Sequence, residues 1–240
     1  MLMMGFCLED IARDGLKNKF KYNMGNTKRR GKYMIRKLTP DLADDYFDFF
    51  ENRAFSDGSP FYPCYCNAFN MSKSRIREEF YIKAKSFGGG KDGWKKTLRS
   101  SAECMVKTGE IQGYMVYDQR QVVGWCNAND RLNYYRVGEF ELSDVPDDVV
   151  CDYCHKKGEI KSIVCFEIAP DYRGKGLATL LLNEICADAK RDGYLCVEAY
   201  PAADGGEEGM AFTGPLSMYE KNGFHLYEQR GNTLIVRKLL

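Results

Sequence analysis

EIAPDYRGKGLATLLL (residues 167–182) is the stretch of sequence that decides the fold. It overlaps the end of a nearly continuous run of apolar and β-branched residues, 160–168, which predicts a central strand, and it continues as a helix with one apolar face. Between strand and helix, two glycines flank Lys175, so the main chain can approach a ligand closely, and the first helical turn favours an anion. The pattern predicts a diphosphate cradle built mostly from main chain. The alternative is a tight turn with solvated basic residues.

The spacing of this loop excludes two familiar nucleotide-binding motifs. A Walker A loop has serine or threonine after its lysine, whereas Gly176 follows Lys175 here. A dinucleotide fingerprint requires a third glycine at the position of Thr179. The predicted diphosphate is therefore not held by a Walker A loop or by a dinucleotide-binding motif.

The rest of the chain alternates helical and strand patterns. Thr39 and Pro40 predict a helix start after a first strand at 33–38, and Asp92 is the predicted cap of a helix that ends at Gly109. The other predicted elements are a helix at 72–86, a hairpin at 113–118 and 121–128, a strand at 194–200, a short helix at 215–224 and a C-terminal hairpin around Gly231 and Asn232.

A second motif, MYEKNGF (residues 218–224), precedes the C-terminal hairpin. Together the two stretches resemble the hallmarks of the GNAT (Gcn5-related) N-acetyltransferase superfamily. Arg173, Gly176 and Ala178 occupy the fixed positions of its pyrophosphate pattern, [RQ]-x-x-G-x-[GA]. The resemblance covers residues 34–240. It implies an α/β GNAT acyl-CoA N-acyltransferase fold: a mixed, mostly antiparallel twisted sheet with a central splayed parallel strand pair, flanked by helices.

The resemblance also implies a donor substrate and a reaction. Acetyl-CoA would place its pantetheine arm between strands 161–168 and 194–200, and an acetyl group would pass to a primary amine by direct attack, without a metal. The implied CoA-binding residues are Phe166, Ile168, Arg173, Gly174, Lys175, Gly176, Leu177, Ala178 and Thr179. The sequence after the second strand, VEAYPAADGG, departs from the family by lacking the asparagine that helps to hold pantetheine in many members.

The resemblance assigns protonation of the leaving thiolate to Tyr219, whose alternative role is that of a core aromatic residue. A main-chain N–H near Ile168 would meet the developing oxyanion. Glu167 is the predicted general base; Glu198 and a chain of water molecules are the competing assignments.

The ten cysteines include two unusual clusters, FYPCYCNAF (61–69) and CDYCHKKG (151–158). Cys64, Cys66, Cys151 and Cys154, with His155 adjacent, could form a tetrahedral zinc site. Alternatively Cys64, Cys66 and Tyr65 line the acceptor pocket, or the thiols pack as small hydrophobic groups, which is the favoured interpretation. No metal is expected.

Composition restricts the class of protein. The chain has 240 residues, a formal net charge of +1 and 44% hydrophobic residues, and no apolar run approaches the roughly 20 residues needed to span a membrane. The N-terminus lacks the basic region of a signal peptide, so we expect a cytoplasmic protein with reduced thiols. The predicted organisation is a basic N-terminal extension, 1–33, and a single domain, 34–240, with an acidic insertion at 129–159.

Two other functions remain open at this point. A non-catalytic acyl-CoA-binding or regulatory module would keep the diphosphate cradle without the chemistry. A nucleic-acid-binding protein would use the basic extension, although nucleic acid is not the expected partner. The sequence leaves the acceptor amine and the presence of a homodimer open.

Overall fold

The computed structural model describes residues 27–59, 62–137, 140–141, 159–201, 212–231 and 233–240. Eight strands form the main sheet: β1 (Thr27–Arg30), β2 (Tyr33–Lys37), β3 (Gly113–Asp118), β4 (Gln121–Asp130), β7 (Ile160–Ile168), β8 (Cys196–Ala199), β9 (His225–Arg230) and β10 (Thr233–Leu239). Their order is β1-β2-β3-β4-β7-β8-β10-β9. A separate pair consists of β5 (Arg136–Val137) and β6 (Phe140–Glu141).

All neighbouring strands of the main sheet are antiparallel except β7 and β8. This parallel pair runs from Ile160 opposite Cys196 to Ile163 opposite Ala199. The mixed, mostly antiparallel sheet with one central parallel pair is the architecture that the sequence resemblance implied, and that prediction is confirmed.

Helices cover both faces of the sheet. On one face lie α1 (Ala43–Asn52) and α4 (Gly90–Thr108), and between them run α2 (Lys73–Ile76), a π-helical stretch (Arg77–Lys83) and α3 (Ala84–Ser86). On the other face lie α5 (Leu177–Arg191) and α6 (Leu216–Lys221). None of the helices described is long and apolar enough to cross a membrane.

The core consists of two layers, one on each face of β4 and β7. On the α1 face, Trp125 of β4 is fully buried against Tyr46 and Phe50 of α1, with ring centroids 5.0 and 6.4 Å from its own. On the α5 face, Leu181 and Ile185 pack on the sheet. Because helices cover both sides, the central strands read as near-continuous apolar sequence rather than as an alternating pattern.

Two predicted helix caps differ in the structure. α4 begins at Gly90, with Gly89 as the N-cap residue at φ 67°, so Asp92 lies inside the first turn and is not the cap. Thr39 occupies a capping position, but its hydroxyl makes no capping hydrogen bond, because Pro40 opens a 3₁₀ turn before α1. The edge strand at residues 27–30, which falls in the predicted N-terminal extension, pairs with β2. Residues 1–26 and 142–158, most of the extension and of the insertion, lie outside the described ranges.

Candidate active site

The parallel pair β7/β8 separates halfway along β7. Ile163 opposite Ala199 is the last pair of β7 and β8. The chain that follows β8 then leaves β7 and stays beside β10, because the N–H of Leu234 donates to the carbonyl of Pro201 at 3.0 Å. Within the residues that the structure describes, no strand pairs with the β8-facing edge of β7 from Val164 to Ile168. The result is a wedge-shaped gap in the middle of the sheet.

Main-chain groups of β7 point into this gap. The N–H of Ala169 donates to the carbonyl of Val123 on β4 at 3.1 Å, and successive residues of a strand direct these groups to opposite edges. The alternation therefore directs the N–H and C=O groups of Phe166 and Ile168 toward the gap. Consistently, the carbonyl of Ile168 accepts a hydrogen bond at 3.0 Å from the side chain of Arg173, a residue of the loop that follows β7.

The glycine loop joins the end of β7 to α5. A 3₁₀ turn at Pro170–Tyr172 is followed by Gly174 at φ 72° and Gly176 at φ 78°, which is backbone that favours glycine. Gly176 is the N-cap residue and offers no side chain, and the first intrahelical bond runs from the N–H of Leu180 to its carbonyl. The N–H groups of residues 177–179 thus have no acceptor inside the helix, and the helix dipole favours an anion there.

The side chain of Arg173 does not extend along the glycine loop. Its guanidinium reaches back to the end of β7, where it bonds to the carbonyl of Ile168, and to the carboxylates of Asp57 and Glu167, the latter at 3.5 Å. Arg173 therefore fastens the loop to β7 and to the chain that follows α1. Lys175 lies with its ammonium 4.8 Å from the ring centroid of Tyr172. The cradle at the helix terminus consists of main chain, as the loop pattern indicated.

Glu167 lies at the end of β7 that borders the gap, and its side chain is 14% exposed. Burial raises the pKa of its carboxyl to about 7, against the opposing effect of Arg173. A carboxyl that titrates near neutral pH can both accept and release a proton there, which a surface glutamate does poorly. The raised pKa of Glu167 meets one condition for a general base at neutral pH.

The segment 62–67 lies across the α1 side of β4 and β7. The amide of Asn127 donates to the carbonyl of Cys66 at 2.9 Å, and the hydroxyl of Tyr46 donates to the carbonyl of Tyr65 at 2.5 Å. Cys66 has φ 51°, an unusual value for a residue with a side chain, and its sulfur lies 3.2 Å from that of Cys165 on β7. The segment is thereby held against the strand that carries Glu167.

The predicted acceptor-pocket residues occupy different environments. Cys64 is half-buried, and a hydrogen bond with Cys66 and burial raise the pKa of its thiol well above the usual range, with a further contribution from the nearby charge of Glu167. Cys66 is buried. Tyr65 points into the core beside α1, where its hydroxyl donates to Glu51 at 3.2 Å.

Tyr219 is fully buried on the α5 side of the sheet, and its hydroxyl donates to the carbonyl of Thr213 at 2.6 Å. Burial raises the pKa of the phenol well above its usual value, so the hydroxyl stays protonated at neutral pH. Glu198, the competing base, is 2% exposed and is held by Arg131 and Arg237. Its charge is compensated by two guanidinium groups, so Glu198 is part of a buried ion-pair network.

Within the described part of the chain, no group of three or more His, Cys, Asp or Glu side chains is arranged to hold a metal ion. Cys151, Cys154 and His155, which the zinc hypothesis requires, lie outside the described ranges. The contact between Cys66 and Cys165 and the ion pair between Asp57 and Arg173 were not foreseen, because no local pattern joins residues so distant in sequence.

Several solved structures resemble this chain. The PaiA N-acetyltransferase of Thermoplasma acidophilum, in complex with coenzyme A, is 16% identical, with 87% of this chain and 99% of that chain covered and a TM-score of 0.45. The ribosomal-protein-S5-alanine acetyltransferase of Vibrio fischeri is 15% identical, with 89% and 96% covered and a TM-score of 0.46. The GNAT domain of PAT from S. lividans is 14% identical, with 90% and 94% covered and a TM-score of 0.45. Sequences this divergent give no information about the acceptor. Among curated proteins no match is found.

A family model matches the part of the chain that contains the gap and the glycine loop. Residues 110–226 match the acetyltransferase (GNAT) domain. This span contains β3, β4, the splayed pair β7/β8, the glycine loop and α6, which are the elements that build the gap and the anion cradle. Residues 110–226 are therefore identified as a GNAT acetyltransferase domain, as the two sequence motifs within them indicated.

Proposed function

We propose that the protein is an acetyl-CoA-dependent N-acetyltransferase that moves the acetyl group to a primary amine by direct attack. The observation that carries this proposal is the gap between β7 and β8, with main-chain groups of Phe166 and Ile168 directed into it. Amide groups of a pantetheine arm can pair with these main-chain groups as a neighbouring strand would. The cradle at the start of α5 lies at the end of β7, where the pyrophosphate would bind.

In this proposal each chemical requirement of the transfer is assigned to one residue. Glu167 accepts a proton from the amine, so that the nitrogen lone pair can attack the thioester carbonyl carbon. The N–H of Ile168 points toward the gap and donates to the developing oxyanion. When the carbon–sulfur bond breaks, the hydroxyl of Tyr219 protonates the leaving thiolate, for which it must release the carbonyl of Thr213. The products are an acetylated amine and free CoA.

The cysteines and the proposed substrate bear on the location of the protein. The seven cysteines in the described ranges are free thiols. Free thiols and a soluble thioester substrate fit a reducing compartment, and we place the protein in the cytoplasm.

The binding of acetyl-CoA can be tested by calorimetry with a matched pair of glycine variants. Gly176 and Gly193 flank α5, both have positive φ (78° and 85°), and a Cβ atom at either would meet no atom within 4 Å. Alanine at either position therefore costs a similar amount of stability, about 1–2 kcal/mol. We expect Gly176→Ala, beside the cradle, to weaken acetyl-CoA binding at least tenfold and Gly193→Ala to leave it unchanged. Equal affinities for both variants, or no binding by the natural protein, would contradict the proposal.

The reaction itself is tested by release of free CoA in the presence of a diverse amine library. Release that depends on a particular amine supports the transferase. Tight acetyl-CoA binding without release across the whole library would instead identify a non-catalytic acyl-CoA-binding module.

The role of Tyr219 is tested by Tyr219→Phe. The hydroxyl bonds to Thr213 and does not line the cradle, so we expect acetyl-CoA affinity to stay within about threefold. Turnover should fall by about 10²-fold or more because the leaving thiolate loses its acid. Steady-state kinetics and calorimetry on the same preparation separate the two effects. Unchanged turnover would leave Tyr219 as a core residue only.

A further inference from the structure

The guanidinium group of Arg173 lies at the Ile168 end of the gap between β7 and β8. Its Nε donates to the carbonyl of Ile168 at 3.0 Å. That carbonyl is one of the main-chain groups assigned to the pantetheine arm. An arm that pairs with Ile168 must therefore displace the guanidinium or share the carbonyl with it.

Two carboxylates hold the guanidinium at this position. Its Nη1 donates to Asp57 at 2.5 Å, and its Nη2 lies 3.5 Å from Glu167. The other carboxylate oxygen of Asp57 accepts a hydrogen bond from the N–H of Ser59 at 3.2 Å, so the chain after α1 fixes the direction of this carboxylate. The side chains of Arg173 and Asp57 are 47% and 34% exposed, against 14% for Glu167. Arg173 is therefore the member of this group that can move into water at the least cost.

The anion cradle lies within reach of the same side chain. Arg173 is followed directly by Gly174 and by the start of α5, where the N–H groups of the first helical turn favour an anion. A guanidinium group can form two parallel hydrogen bonds with phosphate oxygens, as it does with carboxylates. A diphosphate in the cradle therefore competes with Asp57 and Glu167 for Arg173.

We propose that Arg173 is a guard that acetyl-CoA displaces, an inference that rests on the proposed function. In the closed arrangement the guanidinium covers the carbonyl of Ile168 and pairs with Glu167. When the diphosphate of acetyl-CoA occupies the cradle, the guanidinium turns to the diphosphate, and Ile168 and Glu167 are uncovered together. Asp57 is a positioning residue in this proposal, because it contacts the guard and holds it closed.

Opening of the guard changes the proton affinity of Glu167. Burial raises the pKa of this carboxyl, Arg173 lowers it, and the charge of Asp57 raises it. The other titratable groups beside it are the thiols of Cys64, Cys66 and Cys165. The pKa values of these thiols are raised as well, so they stay uncharged at neutral pH. When Arg173 leaves, the pKa of Glu167 therefore rises above about 7, and the base accepts the proton of an ammonium more readily once the donor is in place.

Calorimetry of acetyl-CoA binding with single and double variants tests the guard. Asp57→Asn removes the charge that holds Arg173, so we expect acetyl-CoA to bind about two- to fivefold more tightly, the range that a partly exposed ion pair can supply. In the Arg173→Gln background the same substitution should change the affinity by less than about 1.5-fold, because the two residues act as a pair. Asp48→Asn is the matched control. It removes a carboxylate of α1 that pairs with Arg53 rather than with Arg173, and it should leave the affinity unchanged.

Proton uptake on binding gives a second measurement, made by calorimetry in buffers of different ionisation enthalpy. At about pH 7.5 the natural protein should take up at least about 0.3 more protons per bound acetyl-CoA than Glu167→Gln does. Comparing the two proteins cancels any proton that the phosphates of CoA take up.

Three results would overturn the guard: no gain in affinity for Asp57→Asn, a gain that persists in the Arg173→Gln background, or equal proton uptake by the natural protein and Glu167→Gln. Each of these results leaves acetyl-CoA binding intact. Absence of binding by the natural protein would instead contradict the proposed function itself.

Discussion

Glu167→Gln is expected to lower kcat/KM for amine acetylation by about 10²–10⁴-fold, the contribution typical of a positioned general base. The amide is close in size to the carboxyl that it replaces, so the wall of the gap is preserved, but it cannot accept the proton of the attacking ammonium. Acetyl-CoA affinity, measured by calorimetry, should change little. Glu220→Gln, on the exposed side of α6, is the matched control and should retain full activity.

The pH dependence gives an independent test of the same residue. The pKa of Glu167 is raised to about 7 by burial, and the base must be ionised to act, so kcat/KM should rise with pH through about 7 and level off above it. The rise should be absent from the residual activity of Glu167→Gln. An unchanged profile in the variant would assign proton removal to another group or to a chain of water molecules.

The raised pKa of Glu167 also makes the free energy of unfolding depend on pH. Because the folded-state pKa of Glu167 lies above its ordinary value of 4.5, the folded protein holds this proton more tightly than the unfolded chain does. The contribution of this proton to the free energy of unfolding is fully present below about pH 4.5 and is lost as pH rises toward 7. The unfolding free energy of the natural protein should therefore fall relative to that of Glu167→Gln across this interval, as urea titrations at several pH values would measure.

Glu198→Gln is expected to lower the free energy of unfolding by about 3–5 kcal/mol, the cost of breaking a buried ion pair by removing one partner. The carboxylate of Glu198 is 2% exposed, accepts hydrogen bonds from Arg131 at 3.0 Å and Arg237 at 2.6 Å, and also accepts one from the hydroxyl of Tyr200. Without its negative charge, two largely buried guanidinium groups would face each other uncompensated.

The control for this variant uses a more exposed ion pair in the same part of the sheet. Glu228 pairs with Arg230 on β9, with side chains 39% and 40% exposed, so Glu228→Gln should cost no more than about 1 kcal/mol. Urea unfolding of both variants under identical conditions gives the comparison. A loss for Glu198→Gln as small as that of the control would mean that the buried network contributes little to stability.

The strand, glycine loop and helix of the proposed donor site could be predicted from the sequence. The glycines at 174 and 176, the apolar strand before them and the helix after them are contiguous, so spacing alone determines where the main chain can expose N–H groups to an anion. The second motif predicted α6, which begins at Leu216. These features are local, and periodicity and glycine chemistry describe local structure well.

The side chains that complete the site could not be placed in the same way. Arg173 was predicted to bind CoA, and in the structure its guanidinium contacts Asp57 and Glu167, of which Asp57 is more than a hundred residues away in sequence. Glu167 was a base candidate of uncertain orientation, and its raised pKa depends on burial by distant elements.

The sequence by itself determined the family, the order of the elements and the position of the anion cradle, because each depends on residues adjacent along the chain. The tertiary structure alone decided where β7 and β8 separate and which carboxyl has its pKa raised to near neutral. The physical reason is that the burial and the charge pairing of a side chain depend on all the groups that surround it in space. Those neighbours come from strands and helices that lie far apart in sequence.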